Sequence, residues 1–122
     1  MASFVIAAGE NTYLPINRKL TADGRACSGY FIMHTHTLSW KSTWQRCTNV
    51  PYECTKREKV ERNGYQFDRF IYTVSVTPGT CPYRVIAVDH QIDNLDTGWE
   101  ILGYTSETKW KNKDSDLDCQ MY

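Results

Sequence analysis

The chain has 122 residues, a mass of 14.2 kDa and 41% apolar content, and its 14 basic and 14 acidic side chains leave no formal charge and a pI of about 6.8. That size predicts one β-rich domain over 1–122 with a single core. The balanced charge argues against nucleic acid or an anionic membrane as partner, since either needs a net basic face to release counterions, and no apolar run approaches the roughly 20 residues of a membrane span.

In chain order, residues 4–8 form a short apolar run ended by Gly9 and read as an edge or first strand. Residues 13–17 contain Pro15, which cannot donate to a central ladder, so they read as a loop or an edge. Thr21 to Gly24 is a turn by composition. From Arg25 to Trp44 the pattern alternates, with Tyr30, Ile32, His34, His36, Leu38 and Trp40 on one face and Phe31, Met33, Thr35, Thr37 and Ser39 on the other. This predicts one long bent strand or two strands broken near Ser39. Cys47 to Cys54 reads as a compact Pro-containing loop bounded by cysteines.

The clearest element follows. Asn63-Gly64 supplies the two positive φ values of a type I′ turn, so the flanking runs form a hairpin. A two-residue loop there pairs Arg62 with Tyr65, Val60 with Phe67, Lys59 with Asp68 and Glu58 with Arg69. The last two are opposite-charge pairs that a one-residue slip would lose. Phe70, Tyr72, Val74 and Val76 then share the core face.

Pro82 to Ile92 is apolar on both faces and reads as a central strand. Residues 93–98 are a turn cluster, and Trp99 to Thr105 is the last clear strand. Residues 106–122 are charged and read as an irregular tail, pinned if Cys119 is bonded. The fold class is therefore all-β, a disulfide-stabilised antiparallel sandwich or small barrel.

Five cysteines, Cys27, Cys47, Cys54, Cys81 and Cys119, favour an oxidising compartment in a β domain of this size. Two bonds and one free thiol allow about 15 pairings. The residues before Gly9 lack the basic segment and apolar length of a signal peptide, which fits a mature secreted chain carrying an added Met. The alternative is a cytoplasmic protein with reduced thiols.

No Cys-x-x-Cys, P-loop, dinucleotide fingerprint, nucleophile elbow or His-Glu-x-x-His is present, and no cofactor is implied. His34 and His36 share a strand face and would begin a Zn²⁺ or Cu²⁺ site if a third ligand joined them; no metal is assigned on two. Asp114, Asp116 and Asp118 have the spacing that opens a calcium loop, but Cys119 replaces the turn glycine and no closing Glu follows, so they read as a solvated acidic tail. Trp40-x-x-x-Trp44-x-x-Cys47 resembles the first strand of a thrombospondin type 1 repeat over about 20 residues. The resemblance implies Trp faces stacked on cations, which Arg57, Lys59 and Arg62 would supply.

Abundant Trp and Tyr supply rigid contact area at low entropic cost. The leading reading is a secreted binding module for a protein surface or a carbohydrate, acting as a lectin, an inhibitor or a host-interaction factor. Its contact residues would be Trp40, Trp44, Trp110, Tyr65 and Arg62, with Trp99 in the core and Trp110 exposed. The alternative is a small ribonuclease-type hydrolase using His34, His36 or His90 with Glu58 and Arg57 or Arg69.

Overall fold

The computed structural model describes residues 17–75, 81–92 and 98–122. It contains β1 (Lys19–Ala22), β2 (Gly29–Met33), β3 (Thr37–Lys41), β4 (Arg46–Arg62), β5 (Tyr65–Val74), β6 (Val85–Gln91), β7 (Trp99–Tyr104) and β8 (Leu117–Met121), with a five-residue helix α1 (Glu107–Lys111) between the last two. Every strand pairs antiparallel with the next, giving an eight-stranded meander. Its outer strands meet at one residue pair: Thr21 and Tyr122 exchange backbone hydrogen bonds of 3.1 and 3.0 Å. One pair is not a ladder, so the sheet curls toward a barrel without closing. The expected strand over 4–8, the loop over 13–16 and Val76 lie outside the described residues.

The Asn63-Gly64 hairpin has the expected register. Arg62 faces Tyr65, Val60 faces Phe67, Lys59 faces Asp68 and Glu58 faces Arg69, and φ is 53° at Asn63 and 83° at Gly64. Both turn residues occupy the left-handed region that a type I′ turn requires. β4 is the longest element because it serves two neighbours: residues up to Pro51 pair with β3, and Tyr52 onward pairs with β5. Pro51 is tolerated where the strand changes partner, and Asn49 with φ 48° sits opposite the register shift between Leu38 and Trp40. There the Ser39 hydroxyl accepts the Asn49 N–H at 2.8 Å, replacing a ladder bond lost to the bulge.

Four sequence expectations need correction. Thr21 and Ala22 belong to β1, and the turn follows them. The long alternation breaks at His34 to His36, not near Ser39, and the hairpin reverses the chain so that Met33 opposes Leu38 and Phe31 opposes Trp40. Phe31, Met33, Leu38 and Trp40 therefore share the interior, although a continuous strand would have split them. Cys47 to Cys54 is strand rather than loop. The segment after Thr105 is also ordered: the Ser106 hydroxyl caps α1 by accepting the Lys109 N–H, and β8 pairs with β7 from Trp99↔Met121 to Gly103↔Leu117.

The interior holds Leu20, Phe31, Trp40, Tyr72, Ile86 and Met121, among others, all nearly without exposure. β6 is buried on both faces, as its composition predicts. A second apolar patch of Ile71, Val85, Ala87, Leu102 and Tyr104 lies on the outer face, and Trp110 from α1 packs on it. Two disulfides, Cys27–Cys119 and Cys47–Cys81, join strands and connections distant in sequence. Cys54 is a free, buried thiol, and burial pushes its pKa above the ordinary value.

Candidate functional site

In an up-and-down meander the β1–β2, β3–β4, β5–β6 and β7–β8 connections emerge at one end. Here they surround a cleft of about 410 Å³. Ala26 comes from the first connection, Ser42, Trp44 and Gln45 from the second, Pro82 and Tyr83 from the third, and Thr105, Asp116 and Leu117 from the fourth and its junction with β8. Both disulfides brace this end. Cys27 adjoins Ala26, Cys81 adjoins Pro82, Cys47 starts two residues after Gln45, and Cys119 lies two residues after Leu117.

Trp44 stands at the rim with 75% of its surface exposed, in contrast to Trp40 and Trp99 at 1% and 3%. It is held out because the β3–β4 connection is tight: Ser42 N–H donates to the Gln45 carbonyl at 2.9 Å, and the Ser42 hydroxyl accepts the Gln45 N–H. Beneath the cleft Tyr83 stacks on Trp40 at 5.0 Å between ring centroids. The other wall is equally fixed, since Asp116 accepts from Thr105 N–H at 2.8 Å and from Lys109 Nζ at 2.6 Å. Asp116 thus holds α1 and β8 together. Burial opposes its ionisation, and these bonds outweigh that and lower its pKa.

At the opposite end the hairpin tip bends over the outer face of the sheet. Arg62 lies over the Phe67 ring at 4.5 Å and pairs with Asp89 at 3.0 Å and Glu100 at 2.6 Å. Asp89 has no exposure and is gripped by both arms of Arg69, each at 2.7 Å. Such a bidentate pair satisfies a carboxylate that burial alone would strongly disfavour. Asp118 donates a hydrogen bond to Glu100; partial burial and that bond raise its pKa to about 7. Burial works against Glu100 ionising, but the bonds from Asp118 and Arg62 prevail and hold its pKa below the usual value.

The expected contact residues therefore separate. Trp44 is exposed on the cleft, and Tyr65, 57% exposed, lies at the other end beside half-buried Arg62. Trp40 is a core residue, against expectation, because it sits on the inward face of β3. Trp99 is in the core as expected, stacked on His90 at 3.9 Å. Trp110 is half-buried rather than free: its ring meets Tyr104 edge-on, and Lys113 Nζ lies 3.6 Å above it. The cation stacking implied by the thrombospondin-like spacing is not formed on Trp40, which contacts Phe31 and Tyr83. The hairpin arginines cover Phe67 and Phe70 instead.

The hydrolase set does not converge. His34 and His36 occupy the β2–β3 turn, with His34 Nδ1 2.9 Å from Asn17 Oδ1. His90 faces the interior, whereas Arg69 and Asp89 face outward. Among the described residues no group of three or more His, Cys, Asp or Glu side chains is placed to hold a metal ion. The Asp114–Asp118 segment is not a free acidic tail, since Asp116 and Asp118 both have fixed partners.

The cleft's Pro82, Tyr83 and Leu117 were not legible as contact residues, because four separate connections bring them together. The available signal was their proximity to the paired cysteines. Comparison with protein-family models, with curated proteins and with solved structures finds no match to this chain.

Proposed function

We propose that this chain is a secreted interaction module that engages a protein surface through the Trp44 cleft. The observation that carries the reading is an exposed indole on the rim of a cleft braced by both disulfides. An exposed large aromatic on rigid loops loses little entropy on binding and has the character of an interface hot spot.

The lining favours a protein side chain over a sugar. Ala26, Pro82, Tyr83 and Leu117 offer mostly apolar contact, and Ser42 and Asp116 already spend their hydrogen-bonding capacity on Gln45, Thr105 and Lys109. A sugar would need such groups free. A volume near 410 Å³ accommodates one or two side chains of a partner. Two disulfides, and no helix among the described residues long and apolar enough to cross a membrane, are compatible with secretion.

The test is selection from a phage-displayed random peptide library against the folded, oxidised protein, followed by titration of the enriched peptides against W44A. The proposal expects sequences rich in apolar or aromatic anchors, with affinity falling about 30-fold in W44A, the loss typical of a hot-spot residue worth 2 kcal/mol. Enriched peptides that bind W44A as tightly as the unmodified protein would overturn it.

A further inference from the structure

The outer face at the end opposite the Trp44 cleft carries a second surface of different chemistry. Two adjoining depressions, about 450 and 210 Å³, share a floor of Phe67, Gln91, Glu100 and Gln120. Tyr65 lines the far side of the larger and Tyr122 lines the smaller. These tyrosines, 57% and 58% exposed, are, with Trp44, the large apolar residues most open to solvent among those described. They bracket one groove.

From this arrangement we infer that the groove between Tyr65 and Tyr122 binds a neutral oligosaccharide. A pyranose ring has an apolar face of C–H bonds and a rim of hydroxyls, each both donor and acceptor. Exposed phenol rings suit the first, and side-chain amides beside a carboxylate suit the second. Among the described residues the amides of Gln91 and Gln120 make no hydrogen bond, so both their donors and acceptors face the groove unspent. Two separated aromatic rings with polar groups between them suit a chain of rings, not a single ring.

Charge decides against other polymers. The carboxyls near the floor are Asp89, Glu100 and Asp118, and the cations are Arg62 and Arg69. Asp89 is consumed by Arg69, and Glu100 by Arg62, leaving no free cation among the described lining residues for a phosphate or sulfate. The groove is also preorganised, because Arg62 locks its hairpin wall to β6 and β7. It lies away from the Trp44 cleft, and the inference does not rest on protein recognition there.

The experiment is calorimetric titration of the oxidised protein with chitohexaose, cellohexaose, xylohexaose and mannohexaose, repeated with Y65A, Y122A and W44A. Both tyrosines are exposed, and amide spectra of each variant check that the fold is kept. The expected result is saturable binding of at least one oligosaccharide, weakened about tenfold by Y65A and by Y122A and unchanged by W44A. Q120A serves as a second variant and weakens binding without removing an aromatic. No binding by any of the four, or binding indifferent to Y65A and Y122A, overturns the inference. Loss in W44A alone overturns it too, by moving the sugar to the cleft.

Discussion

Removing the Cys27–Cys119 bond by a C27A/C119A double substitution tests how the cleft end is held. The bond spans 92 residues, and Cys47–Cys81 spans 34 and nests within it. With the inner bond intact, the outer one closes an effective loop of 92 less 34, or 58, residues. Loop-closure entropy for that length is about 4.2 kcal/mol at 25 °C, against about 3.8 kcal/mol for the inner loop. A domain of this size loses about 4 °C of Tm per kcal/mol, so C27A/C119A should melt about 17 °C lower and C47A/C81A about 15 °C lower. Calorimetry on each double variant, which leaves no new unpaired thiol, reads these values. A loss below about 5 °C for C27A/C119A would show that core packing, not the cross-link, holds the β1–β2 connection against β8.

Three further outcomes follow from the packing. R69A leaves the unexposed Asp89 carboxylate without its bidentate partner and should cost about 3–5 kcal/mol in urea unfolding, while R69M/D89L, which removes both charges, should recover most of it. G103A places a Cβ 2.7 Å from the Tyr83 ring and 2.9 Å from Trp40, and should cost about 1–3 kcal/mol and shift the near-ultraviolet circular dichroism of that stack. D118N probes the Asp118–Glu100 proton, with Arg62 and Asp89 as the other charges nearby. The Asp118 pKa is raised on folding, from 3.8 to about 7, so its stabilising contribution is full below pH 4 and is lost as pH rises toward 7. The D118N-minus-parent stability difference should therefore grow in favour of D118N across that window and level off above it. Its amplitude should stay within about 1 kcal/mol because the side chain is solvent-screened. A flat difference between pH 4 and 8 would contradict the shared proton.

The legible parts of the fold were those where local chemistry allows one answer. Asn63-Gly64 and its charged flanks fix the hairpin register, because every alternative pairing sacrifices either the turn or the Lys59–Asp68 and Glu58–Arg69 pairs. β6 was legible because only a strand covered on both faces is apolar on both. The break at His34 to His36 was not, since the turn contains neither Gly nor Pro and the alternation runs through it. That miss moved Trp40 to the wrong face. β8 was hidden because its inward residues are Cys119 and Met121, while its charges point outward.

Of the site, the aromatic residue types were legible but not their burial. Trp44 and Trp40 are chemically identical in sequence, and only the hairpin's tight connection separates an exposed indole from a core one. Tyr122, Gln91 and Gln120 gave no signal, since three strands must be laid side by side before they share a groove. The cysteine count gave two bonds and one thiol, whereas the pairing needed the meander.

Contact between Trp44 on its braced cleft and a ligand is read from the tryptophan emission of the oxidised protein during titration with a peptide selected from the random library. Trp40 and Trp99 are buried and Trp110 is packed against Tyr104, so a binding-dependent blue shift reports chiefly on Trp44. The shift is expected in the parent and absent in W44A, with an affinity about 30-fold weaker in W44A. A peptide that binds both proteins equally, with no change in emission, would place the contact away from Trp44.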